Sequence, residues 1–219
     1  MLKTVVISAT KISIDPVSAA AEGFDDIQIV HLLDEGMSLM CRDEGRVSER
    51  NLASLRKLIQ RAEDLDADGI LLSCTIFSPF IDEIGKWTSV PVVAADIGVF
   101  QKAASLYDEI GAVVSFEPTM ETVEQVVTDC REKINENFHA EIGLAKGAFD
   151  ALAEGRKDEH DRLIFETGKK IAAGREAIVL SQMSHMSALS RFKDFGIPVL
   201  TSPSVSLGIL RERMEAKKK

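Results

Sequence analysis

The amino-acid sequence predicts an α/β protein of two similar, pseudo-symmetric lobes. Each lobe is a mostly parallel sheet flanked by helices, with a cleft between the two. Two observations predict this: short β-branched runs alternate with longer amphipathic stretches, and much of the first half of the chain is written again in the second.

The apolar runs are TVVIS (4–8), DIQIVHL (26–32), GILLSC (69–74), VPVVAA (90–95), GAVVSF (111–116), AIVLS (177–181) and IPVLTS (197–202). Continuous apolar runs bounded by turn residues are the pattern of strands buried on both faces, which is how parallel sheets lie. Between them, ERNLASLRKLIQRAEDLDA (49–67) places Leu52, Leu55, Leu58, Ile59, Ala62 and Leu65 on one helical face. TMETVEQVVTDCREKI (119–134) does the same with Val123, Val126, Val127, Cys130 and Ile134.

The repeat is plainest where ILLSCTIFSP (70–79) meets IVLSQMSHMS (178–187), so that Cys74 faces Gln182 at an offset of 108 (182 − 74). Pro91 of VPVVAAD aligns with Pro198 of IPVLTSP at an offset of 107 (198 − 91), and Gly45 of DEGRVSERNLASL aligns with Gly155 of AEGRKDEHDRLIF. KTVVISAT has a weaker echo in IGAVVSFEPT. These matches divide the chain into a first lobe, 1–97 plus 201–219, and a second, 98–200. In an open parallel sheet the ligand crevice lies at the carboxyl ends of the strands, so duplicated lobes are expected to present Cys74 and Gln182 to a shared cleft.

Composition narrows the function classes. A chain of 219 residues, 45% hydrophobic, can bury one sizeable core or two small ones. Its net charge of −9, with basic residues interspersed among acidic ones, removes the electrostatic footprint that nucleic acid requires. Cys41, Cys74 and Cys130 have no CxxC spacing, so reduced thiols in a reducing compartment are expected, and a structural zinc is not. No stretch approaches the roughly 20 apolar residues of a membrane span and MLKTVVISATKIS lacks a cleavage site, which together point to a cytoplasmic protein. There is no GxGxxG for a dinucleotide and no GxxxxGK[ST] for a triphosphate.

Cys74 ends a buried strand, and Ser78–Pro79 just beyond it reads as an N-cap followed by proline at the first helical position. A helix N-terminus favours thiolate over thiol and would activate Cys74 as base or nucleophile. The competing reading is an inert cysteine at a strand end. Ser8, Thr10, Thr75, Ser115, Thr119 and Ser181 stand at strand ends, where hydroxyls either grip a carboxylate or cap the following turn. His185, three residues past Gln182, is a candidate second acid/base; the alternative is a histidine making ordinary hydrogen bonds in the first turn of a helix. Asp34 and Glu35 are adjacent, so in an extended chain they point apart and share neither metal nor proton. His31, His139 and His160 lack ligand spacing, and RERMEAKKK reads as the solvated end of a last helix.

SCT (73–75) at a strand end, its second copy, and the segments HLLDEGMS (31–38), VVSFEPTME (113–121), VPVVAAD and IPVLTSP together resemble the aspartate/glutamate/hydantoin racemase superfamily over nearly the whole chain. The resemblance implies enzymes that work without cofactor or metal on small carboxylate substrates, as dimers or larger homo-oligomers. It also implies one cysteine that removes the proton next to the carboxylate and a second that returns a proton to the other face. This chain keeps Cys74 but carries Gln182 where the second cysteine belongs and Met183 where a threonine is expected. A primary amide neither takes nor gives a proton near neutral pH, so Gln182 cannot be the second base.

The resemblance favours ligand contact for Thr75 and Thr119. It places Gln182 and Met183 at the cleft, Gln182 as a hydrogen-bonding group, and Phe77, Phe116 and Met183 are candidates for the apolar wall. The expected function is therefore a cofactor-independent isomerase-, racemase- or decarboxylase-like proton transfer on a small carboxylate, with Cys74 as the single catalytic thiol. The alternative is a non-catalytic sensor or carrier of a small carboxylate or amino-acid-like metabolite.

Overall fold

The structure, a computed structural model, describes residues 1–218, the side chain of Pro118 excepted. It divides into two compact units, Met1–Ala95 together with the chain from Ser206 on, and Asp96–Val205. The first contains β1 (Leu2–Ser8), α1 (Ile14–Ala21), β2 (Ile27–Leu33), α2 (Glu35–Glu44), α3 (Glu49–Asp64), β3 (Gly69–Leu72), α4 (Ile81–Ile84) and β4 (Val92–Ala94). The second contains α5 (Ile97–Ala104), β5 (Glu109–Val114), α6 (Met120–Lys133), β6 (His139–Leu144), α7 (Ala148–Ala153), α8 (Lys157–Ile171), β7 (Ala177–Leu180) and β8 (Val199–Thr201). The final helix, α9 (Ser202–Lys217), starts in the second unit and ends in the first.

Each unit has one four-stranded sheet, ordered β2-β1-β3-β4 in the first and β6-β5-β7-β8 in the second, with every pairing parallel. The inner strands β3 and β7 are apolar throughout, and all four residues of each are buried. Along β5, Ile110, Ala112 and Val114 pack with Val123 and Val127 of α6, whereas Val113 packs with Ile164 of α8. The sequence reading finds every strand except β6, which reads HAEIGL and lies at the sheet edge. Its alternating polar residues stay partly exposed, so it has no continuous apolar run to detect.

On α3, Leu52, Leu55, Ile59 and Ala62 are the buried stripe, facing Val5, Ile7, Ile70 and Leu72 of the first core. Its start is fixed by Asn51, fully buried, whose Oδ1 accepts from the Ser48 N–H at 3.1 Å and whose amide donates to the Met37 carbonyl at 2.7 Å. Asp34 caps α2 by accepting from the Gly36 N–H at 2.9 Å, an ordinary helix-start role.

Two local expectations are corrected. The turn after β3 does not begin at Ser78. A 3₁₀ run spans Thr75–Phe80, Cys74 is its N-cap, and Pro79 lies inside it. Phe77, 1% exposed, is buried in the first core, which draws the chain into a tight turn directly after the strand and removes Phe77 from any ligand-facing wall. The C-terminal helix is also not merely solvated. Leu207, Leu210 and Met214 are buried in it, and a Cβ added at Gly69 would stand 2.6 Å from Met214 Sδ, so α9 can close on the start of β3 only over glycine. Arg211 Nε pairs with Asp26 at 2.8 Å, and Lys217 donates to the Ser89 carbonyl at 2.7 Å. Among the described residues, no helix is long and apolar enough to cross a membrane.

Candidate active site at two equivalent strand ends

The ladders of the two units run in the same register. Leu72 pairs with Ile7 on one side and Ala94 on the other, and Leu180 pairs with Val113 and Thr201. The next residue repeats in detail: Ser73 N–H donates to the Ile7 carbonyl at 3.0 Å and Ser181 N–H to the Val113 carbonyl at 3.4 Å. Cys74 and Gln182 each follow two residues past the ladder, so they occupy equivalent positions. The same register makes Ala9, and not Ser8, the counterpart of Ser115.

At the first strand end, three buried hydroxyls meet at Ser73, just before Cys74 in the chain. Ser13 Oγ donates to Ser8 Oγ at 3.1 Å, Ser8 and Ser73 Oγ are 2.8 Å apart, and Ser73 Oγ donates to the Ile7 carbonyl at 3.3 Å. Ser13 Oγ also lies 2.9 Å from Ser73 Oγ and 3.2 Å from the Thr10 carbonyl, so the three hydroxyls satisfy one another and the adjacent carbonyls. Ser8 is fully buried, so the structure makes it part of this brace and not a surface contact. Cys74 is half-buried at the edge of the first core, and Thr75 and Thr10 are half-buried beside the turns they open. A six-residue 3₁₀ run does not supply the α-helical dipole expected to act on Cys74.

The second strand end is built differently. Gln182 Oε1 accepts from both the N–H and the Oγ–H of Ser115, each at 2.7 Å. A backbone N–H can only donate, so this contact fixes which end of the amide is oxygen. Ser115 has spent its one hydroxyl proton on Gln182, so the contact of 3.0 Å between its Oγ and His185 Nε2 must be a donation from the imidazole. His185 is fully buried, its Nδ1 has no partner among the described residues, and burial followed by the nearby His160 holds its pKa well below the usual 6.5. At neutral pH it is an uncharged ring whose one N–H is occupied by Ser115, which does not suit the second-acid role.

The remaining strand-end residues are accounted for locally. Thr119 donates its hydroxyl to the Phe116 carbonyl at 2.7 Å, and Ser181 donates to the Val113 carbonyl at 2.7 Å. Met183 is buried, with its sulfur 4.0 Å from Ser202 Oγ, and Phe116 stacks on Phe149 at 4.7 Å between centroids. Behind His185 lies a pair that the sequence reading passes over. His160 is fully buried on α8 with Nδ1 2.8 Å from Asp161 Oδ1, and Ser187 also donates to that carboxylate oxygen. The only signal in the sequence is an adjacent His-Asp on a helix, too common to notice without the fold. A groove of about 370 Å³ runs along α3, lined by Leu52, Arg56 and Trp87 among others, but no strand-end residue reaches it.

Two α/β units with one topology, each ending its third strand in an equivalent chemical position, define a duplicated parallel-sheet class of protein. A family model described as Asp/Glu/Hydantoin racemase matches residues 11–207, and the chain belongs to that family. Solved structures agree on the fold. A glutamate racemase from Francisella tularensis in complex with D-glutamate is similar at a TM-score of 0.73 and 12% identity, over 99% of this chain and 82% of that one. An allantoin racemase from Klebsiella pneumoniae gives 0.74 at 13%, over 99% and 89%. An aspartate racemase from Picrophilus torridus gives 0.75 at 12%, over 98% and 95%. No curated protein sequence matches significantly.

Proposed function

We propose that this chain is a cofactor-independent enzyme that moves a proton at the carbon next to the carboxylate of a small acid, with Cys74 as its single proton-transferring thiol. The observation that carries the reading is the equivalence of Cys74 and Gln182 in two matching ladders, one bearing a titratable thiol and the other an amide. Family membership supports racemase-like chemistry and disfavours a mere carrier.

Removing a proton beside a carboxylate piles negative charge on oxygen, and preorganised donors there stabilise the resulting enediolate. Thr75, beside the thiol, is suited to donate to such an oxygen. Gln182 supplies a hydrogen bond where a second thiol would supply a proton. One thiol abstracts and returns the proton on one face, so the natural outcome is exchange without inversion.

The test is incubation in deuterated water with each enantiomer of aspartate and glutamate, followed by mass spectrometry and chiral analysis. Exchange of the α-hydrogen with configuration retained, and lost in Cys74→Ser, is the expected result. Exchange that persists in Cys74→Ser overturns the role of the thiol, and exchange with loss of optical activity overturns the one-base reading.

A further inference from the structure

The second strand end holds more machinery than an amide needs if it serves only to fill space. Gln182 Oε1 is gripped twice by Ser115, Ser115 Oγ is gripped by His185, and His185 lies against His160, ring centroids 5.9 Å apart. His160 in turn meets the carboxylate of Asp161, which Ser187 also holds. Asp161 and His160 come from α8, His185 and Ser187 from the 3₁₀ run Met183–Phe192, and Ser115 from the end of β5, so three segments converge on one side chain. From Gln182 to His185 the hydrogen bonds can be assigned in only one direction, because Ser115 N–H makes the Gln182 oxygen the acceptor, which commits the Ser115 hydroxyl as donor to it and His185 Nε2 as donor to Ser115. What remains uncommitted is the Gln182 amide nitrogen. It makes no hydrogen bond to the described residues and is not shut away from solvent.

We propose that Asp161, His160 and His185 are positioning residues that act through Ser115 to lock the Gln182 amide, so that its two N–H bonds form a fixed donor pair for a carboxylate oxygen of the ligand. The ligand class rests on the proposed function, whereas the locking does not. A doubly accepting Oε1 polarises the amide and strengthens its N–H donors, which suits an anionic acceptor better than a neutral one. His160 Nε2 and His185 Nδ1 are both buried without a partner among the described residues. That fits His185 in the Nε2–H form, since a proton at Nδ1 would be a buried donor with nothing to receive it.

The test uses the full-length ¹⁵N-labelled protein. Long-range ¹H–¹⁵N spectra at neutral pH should show His185 as the Nε2–H tautomer. The side-chain amide pair of Gln182, assigned by its loss in Gln182→Leu, should be shifted from the free-glutamine position. His185→Leu and Ser115→Ala should return that pair toward the free position, and His185→Gln, which restores an N–H at similar reach, should bring the shift back. Asp161→Asn should give a smaller shift of the same sign. Succinate should move the Gln182 amide signals and its diamide should not. If His185→Leu does not fold, Ser115→Ala and the tautomer decide. An Nδ1–H tautomer, or amide signals unmoved by Ser115→Ala, overturns the locking; equal response to succinate and its diamide overturns the ligand class. None of these readouts needs turnover, so inactivity of Cys74 would sink the proposed function without touching this one.

Discussion

The two strand ends share a backbone and differ in their chemistry. After β3, three serine hydroxyls brace one another and end on the Ile7 carbonyl, and Cys74 follows directly in the chain. After β7, the network runs the other way, from buried histidines outward through Ser115 to Gln182. Duplication preserves the ladder register to the residue, so the divergence lies in the side chains around the strand ends and not in the backbone pairing. A repeated scaffold fixes where chemistry can occur; which chemistry occurs is decided by two or three residues at the strand tip.

The largest expected effect of breaking this contrast is at Cys74. Cys74→Ser should lower α-hydrogen exchange by about a thousandfold, since positioned acid–base groups contribute roughly 10²–10⁴ in rate. Gln182→Cys tests the contrast in reverse. Giving the second strand end a thiol in place of the amide should destabilise the fold by about 1–3 kcal/mol, because the buried Ser115 N–H and hydroxyl lose their acceptor. Urea unfolding reports the loss.

A third effect concerns pH. His185 is held neutral in the folded protein by burial and by His160, its pKa lying well below 6.5, whereas in the unfolded chain it titrates near that value. A depressed folded pKa gives stability that is complete above about 6.5 and is lost as pH falls through the window below it, because the unfolded state binds the proton first. Urea midpoints should therefore drop on acidification below 6.5, and His185→Gln should flatten that drop. The half-buried His31, also lowered by burial, adds a smaller part of the same sign. The smallest effect belongs to the serine brace. Ser13→Ala should cost about 0.5–1.5 kcal/mol in unfolding and leave exchange nearly unchanged, since the Ser13 hydroxyl bonds within the serine brace.

Much of the scaffold was legible in the sequence because buried parallel strands are apolar throughout and because a repeat shows itself at a fixed offset. Ile70–Leu72 and Ile178–Leu180 announced β3 and β7, and the prolines at 91 and 198 held the alignment into the next strand. What escaped depended on tertiary context. β6 reads HAEIGL, with His139 and Glu141 exposed and no continuous apolar run, and the 3₁₀ turn at Thr75 follows from Phe77 finding the core. At the site, the equivalence of Cys74 and Gln182 could be read directly. The direction of the hydrogen bonds could not, because Ser8 and Ser115 look alike in the sequence, yet one braces the strand and the other orients an amide. His160 and Asp161 gain meaning only when α8 packs beside the second strand end.

The central claim is that Cys74 is the reactive thiol of this chain, and competitive alkylation resolved by mass spectrometry tests it most directly. Burial pushes the Cys130 thiol up to about 11, and burial together with Glu44 raises Cys41, so both are mostly protonated at neutral pH and should label slowly. Iodoacetamide at neutral pH should modify Cys74 first and fastest, and a small carboxylate from the aspartate and glutamate series should slow that labelling alone. Labelling of Cys74 no faster than Cys41, and unaffected by any of those acids, would contradict the account.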